Sequence, residues 1–257
     1  MKAKYKYWYL SVLSVGIFLG VWWLVTDGLH IFPDNMLPSP PKVVMAFFEK
    51  FYDPKPEGAT MLVHIASSLR TVLSGYLLGV VIGVPLGVYM AWFKMADRFL
   101  RPIFDLIKPV PGIAWIPVMI TLFGIGLMGK AMIVFMTSFI ACMVNSYSGI
   151  KQTRDVHLWV ARTFGASNFQ QLFTVALPTA LPMIMTGLRV ALGAAWSAVI
   201  AAELLASSSG IGFMIQQCRG LARPDIIIAG MIAIGLIGTL LTWLLGKLEK
   251  IVLRGRR

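Results

Sequence analysis

The sequence predicts an all-α integral membrane protein with six transmembrane helices in a single transmembrane domain, 1–257. Three observations lead there. The 257 residues are 58% hydrophobic and only 13% charged, with a mean hydropathy of +0.77, a composition that excludes an ordinary soluble domain. The apolar residues gather into six runs, each matching the roughly 20 residues that a helix needs to cross the hydrocarbon core. The net charge of +12 concentrates in connectors that a six-span topology places on one side of the membrane.

Lys2, Lys4 and Lys6 precede the first run, Tyr7 to Val25. It is too long for a signal peptide and lacks a small-x-small cleavage site, so it reads as the first span, with Trp8, Trp22 and Trp23 as interfacial anchors. An external loop of about 27–64 follows, with six prolines (33, 38, 40, 41, 54, 56) and one amphipathic patch, Val43 to Tyr52. That patch predicts a surface helix, too short and too charged to span. The second span, about Ser67 to Phe93, carries Gly75, Gly79, Gly83 and Gly87 at four-residue spacing. One helix face is therefore bare, which lets another backbone approach closely. Pro85 predicts a kink.

The third span, about Ile103 to Phe123, is entered through Pro102, Pro109, Pro111 and Pro117, which predict a bent or interrupted helix. A fourth runs from about Ala131 to Ile150, a fifth from about Ala180 to Leu205 and a sixth from about Ile226 to Leu245, with a last external loop from Ser207 to Asp225. The N-terminus, the 94–108 and 151–162 connectors and the tail together hold fifteen of the 23 Lys and Arg residues. The opposite side holds six: Lys42, Lys50, Lys55, Lys130, Arg219 and Arg223. The positive-inside rule then places both termini in the cytoplasm. The basic balance follows from topology and calls for no nucleic acid.

The same rule makes the loop of about 151–178 cytoplasmic. Ser167 followed by Gln170 has the spacing of a capping box, which starts a helix. From there Phe169, Leu172, Phe173 and Ala176 form one apolar face, and Pro178 is expected to end the helix. Gly165 allows a sharp bend before it.

The order Ala161, three residues, Gly165, nine residues, Val175, one residue, Leu177-Pro178 resembles the cytoplasmic EAA loop of ABC-importer permeases. The spacing matches throughout. Trp159 stands where the family has Glu, Val160 replaces the first Ala, and Val175 replaces Ile. Further phrases, LPSPPKV at 37–43, KPVPGIAWIP at 108–117, LFGIG at 122–126 before Lys130, FGAS at 164–167, LPTALPMIMTGLRVALGAAW at 177–196 and AAEL at 201–204, are similar to those of the nitrate, sulfonate and taurine branch.

The resemblance implies a type I importer fold and a loop that docks in an ATPase groove through Ala161, Gly165, Phe169, Leu172, Phe173, Val175, Leu177 and Pro178. It implies a second permease copy, two ATP-hydrolysing subunits carrying ATP and magnesium, and an external solute-binding protein. The location implied is a bacterial inner membrane, and the solute a small anionic or organic molecule. The chain itself would bind no cofactor and hydrolyse nothing.

Other motifs are weaker. Gly124 to Ala131, GIGLMGKA, satisfies two nucleotide-loop patterns, yet Ala131 stands where magnesium needs Ser or Thr, and no strand precedes it. His30, His64 and His157 are scattered, and Cys142 and Cys218 have no metal or disulfide spacing, so neither enzyme chemistry nor a metal site is expected. Arg189, Trp196 and Glu203 recur every seven residues, nearly one helix face. Two readings stay open for them: a stripe lining the solute path, or an interfacial Arg and a loop-ordering Glu. The rival to an ATP-driven importer is a secondary transporter or channel, which should show inverted repeats.

Overall fold

The computed structural model describes residues 8–253, so the charges at Lys2, Lys4, Lys6, Arg254, Arg256 and Arg257 lie outside the described residues. Within them every regular element is helical: α1 (Trp8–Trp23, continued by a π turn Leu24–Gly28), α2 (Pro40–Glu49), α3 (Met61–Trp92), α4 (Lys94–Ile107), α5 (Ile116–Phe123, after a 3-10 turn Gly112–Trp115), α6 (Leu127–Lys151), α7 (Asp155–Thr163), α8 (Asn168–Gln171), α9 (Leu177–Leu205), α10 (Ile211–Gly220) and α11 (Pro224–Leu253). Five stretches are long and apolar enough to cross a membrane, and α4 with the segment Gly112–Phe123 makes a sixth if that bent pair is one span.

The glycine row decides the centre of the bundle. Lipid supplies no hydrophobic drive for helix association, so packing depends on close backbone approach. Gly75 lies against Ala131 and Val134, Gly79 against Ser138 and Phe139, Gly83 against Phe139 and Cys142, and Gly87 against Met143 and Ser146. This register makes α3 and α6 parallel and pressed together along four turns, as the spacing predicts. Pro85 sits inside a continuous α3. A Cβ at Gly83 would stand 2.7 Å from the Phe139 carbonyl oxygen. Gly83→Leu is therefore expected to destabilise the bundle by roughly 1–3 kcal/mol or more through overpacking, read as a lower unfolding temperature in detergent. An unchanged melt would show that α3 and α6 can separate freely.

On its other side α6 packs against α9, which runs the opposite way: Gly149 meets Ala180 and Met183, and Gly187 meets Asn145. α11 joins through the Trp196 indole N–H, which donates to the Ile234 carbonyl at 3.2 Å. α2 is the surface helix expected from its patch, with Val43 and Ala46 buried. α1 buries none of its residues in this chain, and its Trp22 indole donates to the Pro38 carbonyl at 3.1 Å.

Because α3 and α6 are parallel, the chain between them must cross back. It does so in two pieces that meet at 89°. Pro109 and Pro111 supply no backbone N–H and disfavour helix in the residues before them, so the interruption expected from the proline series is present. The sequence misplaced its start, however. The helix begins at Lys94 rather than Ile103, and it climbs along α6: Asp97 accepts from the Tyr147 hydroxyl at 3.2 Å, and the Phe104 ring lies 5.9 Å from that of Phe139. Lys108 therefore caps a helix that packs along α6 and does not lie in an irregular connector.

At the α10 end, the glycines of 124–131 make a turn between helices, with Gly124 at φ +78°. The Lys130 ammonium donates to the Ser207 hydroxyl at 2.8 Å and to the Ser209 carbonyl at 3.2 Å. This resolves the phosphate-loop pattern as a link between two loops.

Candidate functional site

At the opposite end, α7 and α8 form the loop singled out from the sequence. Two local devices hold it. The Gly165 N–H donates to Arg162 at 2.9 Å and the Ala166 N–H to Ala161 at 3.0 Å, with Gly165 at φ +82°. That pair of bonds is a Schellman motif, which needs a left-handed residue four positions after the residue whose carbonyl closes it. The A-x3-G spacing is the sequence record of this cap. The next helix opens with the capping box in full: the Ser167 N–H donates to Gln170 Oε1 at 2.7 Å, and the Gln170 N–H to Ser167 Oγ at 3.3 Å. Gln171 is buried, and its amide donates to the Ala166 carbonyl at 2.8 Å, bracing the bend.

Two expectations fail here. Pro178 does not end the helix. α8 widens into a π turn over Leu172–Ala176 and runs on as α9, with Pro178 in the first turn of α9, where a residue lacking an N–H is tolerated. The loop is thus the rigid root of a span. Nor do the four apolar residues share one exposed face. Leu172 and Ala176 turn inward and pack with Ala91, Ile150, Ala180 and Ile184, so Leu172, at 6% exposure, is a bundle residue and not a docking residue. The extra residue in a π turn rotates the following side chains around the axis, which a 3.6-residue period does not anticipate.

Phe169 and Phe173 remain exposed, at 65% and 61%, with the Phe169 ring 6.3 Å from that of Phe93. Phe164, Trp159 and Val160 are exposed beside them. Gly165 is exposed, and Ala161, Val175, Leu177 and Pro178 are half-buried. Phe164 was not among the residues picked from the sequence. Its position one before a helix-ending glycine is the signal that could have found it, since a residue there stands at the corner of the bend.

The seven-residue stripe separates into two places. Arg189 and Trp196 line a groove of about 1540 Å³ between α9 and α11, with Leu192, Ile234, Trp243 and Lys250. The Arg189 guanidinium is ion-paired with Glu249, a partner invisible in the sequence because sixty residues separate them. Glu203 is no part of that groove. It is 1% exposed, and its carboxylate accepts from Ser68 Oγ at 2.9 and 2.8 Å and from the Gly212 N–H at 3.0 Å. A residue seven positions on lies about 10 Å further along the axis, and that shift carries Glu203 out to the loop before α10. The loop-ordering reading holds for Glu203, and its place in a solute path is withdrawn.

A second buried polar group at the α10 end escaped the sequence reading. Lys50 Nζ lies 2.8 Å from Glu57 Oε1, and His64 Nε2 lies 3.3 Å from the same oxygen. His64 Nδ1 accepts from the Gly210 N–H at 3.3 Å, so the α2–α3 connector, α3 and the start of α10 are tied together. Nearby Cys218 is buried, which pushes its thiol up to about 12. Among the described residues no group of His, Cys, Asp and Glu could hold a metal ion.

Residues 83–254 match the family model described as the binding-protein-dependent transport system inner membrane component. The taurine transport system permease protein TauC of Escherichia coli K12 is 35% identical over 246 residues, covering 94% of this chain and 87% of that protein. The nitrate import permease protein NrtB of Leptolyngbya laminosa is 30% identical over 240 residues, covering 92% and 84%. The putative aliphatic sulfonates transport permease protein SsuC of Bacillus subtilis 168 is 29% identical over 249 residues, covering 97% and 88%. A chain of the inward-facing MetNI methionine ABC transporter shares the fold, with a TM-score of 0.63 at 17% identity over 76% of this chain and 95% of that one. The chain belongs to the family of binding-protein-dependent transport system inner membrane components, and it is a multi-pass permease of an ABC importer.

Proposed function

We propose that the exposed loop over α7 and α8 is the coupling element of this permease, and that two copies of the chain enclose a path for a small anionic or zwitterionic solute. The observation that carries the coupling role is the braced loop with outward aromatics at the root of a span. Two capping motifs fix its shape, and α9 continues from it without a hinge, so force on the loop moves a membrane helix as a rigid body. The two ATPase subunits would hold ATP and magnesium, while this chain supplies neither ligands nor catalysis. An external binding protein would deliver the solute at the α10 end. The solute class rests on the taurine, sulfonate and nitrate names of the relatives.

ATP binding can drive the cycle only if it favours one of two conformations. Purification together with its ATPase subunits, and stimulation of ATP hydrolysis by the loaded binding protein, are the expected results. Transport down a gradient by the chain alone, with no ATPase retained, would favour the secondary-transporter reading instead. On topology, we place the α7 end and both termini in the cytoplasm. Cysteines introduced at Lys55 and Lys250 are then expected to label from opposite faces of the membrane, and labelling from one face would overturn that orientation.

A further inference from the structure

The broken span between α3 and α6 holds a charged pair at a depth where charge is expensive. Depth can be read from register. α6 has 25 residues, and Phe139 is its midpoint. Phe104 of α4 stacks beside Phe139, while Gly112, beyond the break, packs on Thr137. The segment 108–111 therefore sits near the middle of the bilayer. Lys108 and Asp105 stand at this level, Nζ to Oδ1 2.7 Å, each about half exposed at 50% and 51%. Pro109 and Pro111 beside them are exposed as well.

Non-helical backbone at membrane depth is tolerated only where protein buries it or where it lines a water-filled cavity. A lysine or aspartate at a helix centre is among the costliest residues to insert into a bilayer. Half-exposed charges beside an open break therefore cannot face lipid tails. The Arg189 groove was the place that the sequence suggested for solute contact, and its cation is ion-paired with Glu249 as Lys108 is with Asp105. Lys108 differs in standing at an open break of its helix; its ammonium has three donors, and one bond to Asp105 leaves two for a ligand.

We infer that Lys108 and Asp105 line the solute path, and that Lys108 is its mid-membrane contact for the anionic group, a sulfonate, carboxylate or nitrate oxygen. This rests on the proposed importer role. Asp105 keeps the site weak by sharing the ammonium. A path site must bind well enough to admit its solute and loosely enough to release it.

The test uses the permease with its ATPase in proteoliposomes, in a Cys142→Ala, Cys218→Ala background. Lys108→Cys is expected to react with the aqueous anionic reagent 2-sulfonatoethyl methanethiosulfonate, at rates that differ between nucleotide-free and vanadate-trapped states. Val81→Cys, on an exposed α3 face, is expected to stay unlabelled as the lipid control. The anion contact is read at Pro109→Cys and, in parallel, at Ile113→Cys. With Lys108 present, the anionic reagent should react about fivefold faster than it does in a Lys108→Gln background, the scale of one unit charge at close range in water, while its trimethylammonioethyl counterpart gains no such speed. Lys108→Arg should keep that preference. A Lys108→Cys as silent as Val81→Cys in both states would overturn the path placement, whether lipid or a second copy covers the break. Labelling without charge preference would overturn the anion contact. ATPase retained through these variants would show that the importer role stands even if this site does not.

Discussion

Replacing Gly165 by Asp and Phe169 by Ala together is expected to abolish solute-stimulated ATP hydrolysis while leaving membrane insertion unchanged. Nothing lies within 4 Å of where a Cβ would sit on Gly165, so the substitution meets no neighbour inside the chain. Its first cost is conformational, about 1–2 kcal/mol for a side chain in the left-handed region, which Asp tolerates better than most residues. Its second cost arises when an ATPase groove closes over the carboxylate and strips its water. Phe169 acts by burial. A large aromatic that is fully enclosed at an interface is often among the few residues carrying most of the affinity, and truncating it weakens association roughly thirtyfold or more. In the proposed docking, Trp159 stands where the family has Glu, so these exposed rings are expected to supply more of the contact than a charge does. Coupled hydrolysis at the unmodified rate in the double variant would remove the coupling role.

Replacing Glu57 by Gln is expected to cost roughly 3–5 kcal/mol of folded stability, because it leaves a buried ammonium without its counter-ion. Lys50 is almost wholly enclosed. Its remaining contacts are the Pro54 and Lys55 carbonyls, at 3.2 and 2.7 Å, which carry partial charge only. Adding Lys50→Met removes the orphaned cation, and the double variant is expected to recover most of the loss, since an apolar replacement for a buried pair is often neutral or better. Thermal unfolding in detergent would measure both. A single variant as stable as the parent would mean that water reaches Lys50.

Much of this arrangement was legible in the residues because it rests on local or periodic rules. The glycine row gave the α3 contact face, since four-residue spacing puts bare backbone on one side wherever the helix goes. Ser167 and Gln170 gave the start of α8, since a capping box involves only its own four residues. The loop's Ala161 to Gly165 spacing is likewise a cap written in sequence. Where the reading failed, the deciding contact was distant. Leu172 turned inward because Ala91, Ile150 and Ile184 from three other stretches of the bundle pack around it. Glu203 left the stripe because the α10 backbone, with Ser68, claimed its carboxylate. His64 looked isolated until the α2–α3 connector folded Lys50 and Glu57 onto it.

The sequence by itself determined that this chain lives in a bilayer, where its long apolar helices lie, and which loop is offered at its surface. Those follow from hydropathy, charge and backbone caps, each a property of residues near one another. Only the tertiary structure decided what stands beside each charge and at what depth. Lys108 counts as a connector lysine by order along the chain. In the proposed placement it becomes a mid-membrane lysine because α3 and α6 run parallel, and the segment that joins them climbs back along α6.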